Sequence, residues 1–140
     1  MGEAYPDQVA VLLELADEGV RLQPTADAAI RACGVDLVPV DTAVAVRLGD
    51  ALRAYSRLYH RLESLEPDPD LAQTARDLLG QLSYHLHMLR DAGDLVFSGR
   101  SVPRNDRFRL ELADGLGPHA QGLDRLRTAL IARHEILRSI

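Results

Sequence analysis

The five histidines of this 140-residue chain are the side chains best suited to metal binding or acid–base chemistry. A metal site needs ligands that converge on one point, often at positions i and i+4 of a helix. His119 and His134 are predicted to lie on the apolar face of the last helix, about 22 Å apart. His85 and His87 are two residues apart and diverge on a helix, and His60 points outward. We therefore expect no metal site and no cofactor, with His85, His119 and His134 packed in or beside the core.

Lysine is absent, and all sixteen basic residues are arginine, which indicates a GC-rich bacterial genome. Without lysine, Schiff-base chemistry and a Walker A phosphate loop are excluded. The single cysteine, Cys33, excludes an internal disulfide and a multi-cysteine zinc site. Neither Ser83 nor Ser101 lies in a Gly-x-Ser-x-Gly context. We therefore expect a protein that is not an enzyme.

Two arginine–histidine pairs have the same spacing, with six residues between Arg53 and His60 and between Arg127 and His134. This spacing resembles the Arg-x(4–6)-His signature of the HEPN helical ribonucleases. The resemblance implies a helical ribonuclease, which we keep as a lesser alternative. The sequence departs from the signature after each arginine, where alanine or threonine follows.

Arginines are concentrated in two places. Arg53, Arg57 and Arg61 repeat every four residues on the outer face of a predicted helix and are called the arginine column below. The segment 99–109 contains Arg100, Arg104, Arg107 and Arg109. Guanidinium groups suit bidentate contacts to carboxylates and phosphates. Either surface could bind an acidic or phosphate-bearing partner, or could be a solvated face or loop paired with acids of the same chain.

A long antiparallel helix hairpin is the clearest predicted element, with helices over about 41–66 and 70–92. Apolar residues in both helices recur every three or four positions and form a wide stripe. Pro67 and Pro69 end the first helix, because proline disfavours helical geometry in the residue before it. The short turn between them makes the two helices antiparallel neighbours.

Further helices are predicted on both sides of the hairpin. One begins at Pro6 and ends at Gly19, and a short helix runs from about Thr25 to Gly34. The last helix covers about 118–139 and begins at Gly117-Pro118. The sequence therefore predicts an all-α, up-and-down helical bundle.

Charge is unevenly distributed along the chain. Residues 1–46 hold eight acids and two arginines, whereas residues 47–140 hold thirteen acids and fourteen arginines. We expect a single helical domain over 1–140 in which residues 1–40 form an acidic lobe packed on the bundle. The net charge of −5 disfavours nucleic acid as a partner. Neither a secretory signal nor a membrane span is visible, so we expect a cytoplasmic protein without membrane contact.

The helix over 70–92 carries a second apolar side, on which Tyr84, Met88 and Leu95 lie roughly opposite the main stripe. Such a helix is either central in its own bundle or shared with a partner chain. We therefore predict a protein–protein interaction or regulatory protein, as a homodimer or with another protein. The predicted interaction surface combines these three residues with both arginine groups.

Residues 83–93, Ser-Tyr-His-Leu-His-Met-Leu-Arg-Asp-Ala-Gly, are similar to a recognition helix. Residues 95–97 and 107–112 could then form the two strands of a wing. On these features, residues 71–112 resemble a winged helix of the ArsR or MarR regulator type. The resemblance implies a DNA-binding transcriptional regulator, which is the main alternative function. Residues 107–112 also fit a short helix, and both structures remain open at this point.

Overall fold

Four long helices make up most of the described chain. The structure is a computed structural model that describes residues 4–35, 42–98 and 112–139. The helices are α1 (Tyr5–Val35), α2 (Thr42–Glu63), α3 (Ala72–Ser98) and α4 (Gln121–Arg138). Short 3-10 turns, Pro69–Leu71 and Pro118–Ala120, precede α3 and α4.

Successive helices are antiparallel and pack around one core. On α1 and α2, Tyr55 donates to the carbonyl of Gly19 and Arg61 pairs with Glu14, so residue numbers rise on α2 as they fall on α1. The packed pairs are α1–α2, α2–α3, α3–α4 and α1–α4, and α1 also contacts α3 across the diagonal. The predicted all-α, up-and-down bundle is therefore confirmed.

α1 is one continuous helix, whereas the sequence predicted two helices separated at Gly19 and Thr25. The helix passes through both positions and contains Pro24. A Cβ at Gly19 would lie 3.0 Å from Leu123 Cδ2 of α4, so this glycine permits close helix packing and does not end the helix. The buried residues before and after Pro24 stay in one helical phase, which lets a single stripe cover the core.

α3 continues to Ser98, beyond the predicted helix end at about residue 92. A Cβ at Gly93 would lie 3.6 Å from Leu48 of α2, so this glycine also lies at a helix contact. The helix is continuous through 80–83 and leaves no turn for a helix-turn-helix. Residues 95–97 are helical and not a strand. The winged-helix prediction is therefore wrong for this segment.

Several other predictions fall outside the described residues. They include the four arginines Arg100, Arg104, Arg107 and Arg109, and the choice between strand and helix over 107–111, whereas Leu112 is described and is helical. Residues 1–3 and 36–40 of the predicted acidic lobe fall there too. Within the described ranges, α2 ends at Glu63, slightly before the predicted end at 66.

Gln8 of α1 holds the loop between α2 and α3. The Gln8 side chain is buried, donates to the carbonyl of Glu66 at 3.3 Å and accepts from the amide of Asp68 at 2.8 Å. The Asp68 carboxylate in turn accepts from the amide of Asp70 at 3.1 Å. These bonds satisfy backbone groups at the hairpin turn and fix it against the first helix.

The turn before α4 is docked on α1. Gly115 has φ 67° and Gly117 has φ 73°, a left-handed region that glycine adopts without a Cβ clash. Asp27 of α1 accepts from the amide of Leu116 at 2.8 Å and from Nε of Arg31 at 2.7 Å. One carboxylate therefore binds both the turn and its own helix.

Candidate functional site

The arginine column lies on the outer face of α2. Arg53 pairs with Asp50, and Arg61 reaches Glu14 of α1 at 3.3 Å. Across the three described ranges, Arg57 has no ion pair. Exposed pairs of this kind contribute about 0–1 kcal/mol each. The column is thus a solvated face that is tied at one point to the acidic first helix.

Tyr84, Met88 and Leu95 lie on α3 and are largely covered within the chain. Leu95 is buried, and Met88 is partly buried and packs against the core. The Tyr84 hydroxyl donates to the carbonyl of Leu116 at 2.6 Å. The structure does not bring these residues together with the arginine column, because the column lies on the exposed side of a different helix.

The two arginine–histidine pairs lie on different helices. Arg53 and His60 are exposed on α2, and Arg127 and His134 lie on α4. Since α2 and α4 occupy opposite corners of the bundle, the two arginine–histidine pairs do not form one site within a single chain. Arg127 already lies 3.8 Å from Asp17 of α1.

Metal-binding and thiol chemistry find little support in the described residues. Within them, no group of three or more His, Cys, Asp or Glu is placed to hold a metal ion. Cys33 is buried, and burial raises the pKa of its thiol, which disfavours the nucleophilic thiolate. None of the described helices has an apolar stretch long enough to cross a bilayer.

His85 of α3 is fully buried at the centre of the bundle. Its ring lies 5.0 Å from the Tyr55 ring of α2 and meets Tyr84 edge-on at 5.9 Å. Tyr84 also contacts the His119 ring at 4.4 Å. His119 itself is exposed, although the sequence placed it on the apolar face. The reason is the 118–120 turn, which has three residues per turn and shifts the helical phase.

Hydrogen bonds determine the protonation state of His85. Its Nδ1 lies 2.6 Å from the carbonyl oxygen of Gln81, which can only accept, so Nδ1 carries the proton. Its Nε2 lies 3.0 Å from the Gln23 amide nitrogen of α1. That nitrogen donates its second hydrogen to the carbonyl of Ala120 at 3.0 Å. A neutral ring therefore satisfies every member of this network.

Burial also lowers the pKa of His85, since a charged ring would lose its hydration. The hydrogen bond to the Gln81 carbonyl opposes this effect, and the nearby His119 adds to it. Both the bonding pattern and the surroundings therefore favour the neutral imidazole.

A groove of about 520 Å³ lies between α3 and α4 and is called the α3–α4 groove below. Arg76 of α3 and Arg125 of α4 line it, with His119 beside them. In the part of the chain that the structure describes, neither arginine has a carboxylate partner. Arg76 donates to the Gln73 amide oxygen at 2.9 Å, and Gln73 donates to Asp77 at 2.8 Å. The two guanidinium groups of the groove are therefore available to bind an anion.

Two glycines and a glutamine shape the same groove. A Cβ at Gly80 would meet nothing within 4 Å, whereas a Cβ at Gly122 would lie 2.3 Å from the Gln81 amide nitrogen. Gln81 donates to the carbonyl of His119 at 3.2 Å. Its Oε1 is buried and has no hydrogen-bond donor among the described residues. Bare backbone and an unused acceptor thus lie next to the two arginines.

Gly80→Ala should raise the free energy of unfolding by about 0.5–1 kcal/mol, because glycine inside a helix is entropically unfavourable and no contact opposes the methyl group. Urea denaturation followed by circular dichroism measures the change. Gly122→Ala is the matched control. Its free energy of unfolding should be lower than that of Gly80→Ala, since its methyl group displaces Gln81. A destabilised Gly80→Ala would contradict the open space above Gly80.

A second groove, of about 650 Å³, lies between α1 and α4. Gln23, Asp27 and Arg125 are among the residues that line it. Asp27 is already bonded to the turn before α4 and to Arg31, so we assign no ligand to this groove. Gln23 in the wall of this groove is hydrogen-bonded to the buried His85.

Comparison with family models, curated proteins and solved structures finds no match to this chain. The sequence interpretation missed Arg76 and Arg125. A local signal was available, since neither has an acid three or four residues away with which to pair on its own helix.

Proposed function

We propose that this chain is a non-catalytic helical binding module that holds an acidic segment of a partner protein in the α3–α4 groove. The observation that carries the proposal is the pair Arg76 and Arg125, which line one groove from two helices. Neither has a carboxylate partner in the described ranges. Arginine binds carboxylates through paired, charge-assisted hydrogen bonds. An acidic segment would supply the missing acceptors.

The shape of the groove supports a polypeptide as the occupant. Gly80 presents main chain with no side chain above it, which allows another backbone to approach closely, whereas the Gln81 side chain covers Gly122. A polypeptide also carries N–H donors. If the Gln81 side chain turned outward, its unused Oε1 could accept from one of them.

A short acidic segment fits the electrostatics better than nucleic acid does. The chain has a net charge of −5, and Asp77 lies at the same groove. A nucleic acid carries one negative charge per phosphate and would be repelled along its length. A few carboxylates placed at Arg76 and Arg125 avoid most of that repulsion.

Self-association and a cytoplasmic location stay predictions. The homodimer was inferred from the second apolar side of α3, but Leu95 is buried and Tyr84 is bonded to Leu116. We therefore favour a different protein as the partner. Sedimentation equilibrium of the protein alone distinguishes the cases, since a dimer would make a second copy the favoured partner.

Fluorescence anisotropy with a labelled hexaglutamate peptide tests the proposal directly. Arg76→Ala/Arg125→Ala should weaken binding about tenfold, because exposed arginine–carboxylate pairs contribute up to about 1 kcal/mol each and two of them are lost. The matched control is Arg53→Ala/Arg57→Ala, which removes the same charge from the outer face of α2 and should leave the affinity unchanged. Hexaglutamine serves as the neutral peptide and should not bind.

Two outcomes would overturn the proposal. If the Arg53/Arg57 variant loses as much affinity as the Arg76/Arg125 variant, the peptide responds to overall charge or to the arginine column. If a labelled DNA duplex binds more tightly than the peptide and depends on Arg76 and Arg125, the groove belongs to a nucleic-acid binder.

A further inference from the structure

The 118–120 turn connects the buried His85 to the α3–α4 groove. It carries His119, which lines the groove, and it leads directly into the first turn of α4. From α3 it is held by the Gln81 side chain at His119 O, and from α1 by Gln23 at Ala120 O. The position of this groove wall therefore depends on bonds made by both helices.

The bond from α1 requires a neutral His85. Protonation would place a hydrogen on Nε2, which then faces the amide hydrogens of Gln23 at 3.0 Å, donor against donor. Rotation of the Gln23 amide would relieve this contact. The rotated oxygen would then face the carbonyl of Ala120, acceptor against acceptor. Without rotation the bond between Gln23 and His85 is lost, and with rotation the bond from Gln23 to Ala120, which joins α1 to the turn, is lost.

The Gln81 carbonyl on Nδ1 favours a charged ring, but none of the other described groups around the ring carries a negative charge. They are Tyr55 from α2, Tyr84 from α3, Gln23 from α1 and His119 from the 118–120 turn. Within the described residues no carboxylate contacts His85. Glu18 of α1 acts on the Tyr55 hydroxyl, which donates to a carbonyl of α1. An imidazolium is best stabilised where water reaches it, and separation of the turn from α1 would admit water to the ring.

We propose that His85 is a proton-dependent latch, in which the neutral ring holds the 118–120 turn on α1 and protonation releases it. Release displaces His119 and the start of α4, so the α3–α4 groove loses its shape and binds acidic segments more weakly at low pH. This consequence for binding rests on the proposed function of the groove, whereas release of the turn does not.

Hydrogen exchange of amides in residues 118–124 tests release between pH 7.5 and 5.5. After correction for the intrinsic exchange rate, exchange should become about tenfold faster at the lower pH, as expected for the loss of one buried hydrogen bond. Gln23→Ala removes the latch without removing the histidine. It should exchange rapidly at both pH values while circular dichroism shows a folded bundle.

Two variants separate the histidines. His85→Gln keeps a side-chain amide in the core but does not titrate, so exchange in residues 118–124 should become independent of pH. His119→Asn should keep the wild-type pH dependence of exchange. If His119→Asn abolishes that dependence, or if wild-type exchange does not change with pH, the latch is wrong.

The two proposals fail in different ways. Faster exchange at pH 5.5 without any hexaglutamate binding would support the latch and contradict the proposed function. Peptide binding that depends on Arg76 and Arg125, together with an exchange rate that does not change with pH, would support the proposed function and contradict the latch.

Discussion

Gly115→Ala should lower the free energy of unfolding by about 2–4 kcal/mol, the largest effect that we expect from adding one methyl group. Gly115 has φ 67°, where a Cβ costs about 1–2 kcal/mol. That Cβ would also lie 2.1 Å from Oδ1 of Asp27. The carboxylate would have to leave the amide of Leu116, and an unsatisfied buried amide costs about 1–3 kcal/mol.

Chemical denaturation of the variant and the parent measures this effect. Gly49→Ala is the matched control, because its Cβ would only reach ordinary contact with Arg53 at 3.5 Å and it lies inside α2. That control should be neutral or slightly stabilising. A loss below about 1 kcal/mol in Gly115→Ala would show that the turn before α4 accepts a side chain, contrary to its left-handed backbone.

Stability should also fall as the pH is lowered through about 6.5, the usual pKa of an unfolded histidine. Burial lowers the pKa of His85 in the folded protein. Above 6.5 the ring is neutral in both states and its contribution is fully present. Below 6.5 the unfolded chain binds a proton that the folded chain excludes, which favours unfolding. The slope reaches up to about 1.4 kcal/mol per pH unit until the folded ring titrates.

Urea denaturation at a series of pH values between 8 and 5 provides the measurement. His85→Gln should be less stable than the parent at pH 7.5, where the parent network is complete, and its stability should lose the histidine-dependent slope. His87→Gln is the control, since His87 is exposed beside Asp91, and the parent slope should persist in it. A parent protein that grows more stable on acidification would contradict a buried neutral His85.

The helices of the hairpin could be predicted from the sequence because their evidence is local. Apolar spacing of three and four identified α2 and most of α3, and the prolines at 67 and 69 identified the turn. Pairing of the arginine column with acids of the same chain was one of the alternatives that the sequence left open, and Arg61 does pair with Glu14.

The helix ends predicted at Gly19 and at about residue 92, next to Gly93, were wrong because tertiary packing carries both helices further. Both glycines face another helix, so the missing side chain allows close approach and the packing outweighs the weak intrinsic preference of glycine. Pro24 removes one helical hydrogen bond, yet α1 continues because the apolar residues on both sides face the same core. The continuous phase of those residues was visible in the sequence and was the better guide.

By itself, the sequence determined the all-α class, the hairpin, the apolar stripes and the exclusion of lysine chemistry, because each depends on neighbours a few residues away. Only the tertiary structure decided which polar groups meet. Arg76 and Arg125 share a groove, and Gln23 binds His85, although each pair is distant in the sequence. Helical periodicity specifies which face of a helix is apolar, but not which helix lies against it or at what height. That choice depends on the packing of all four helices together.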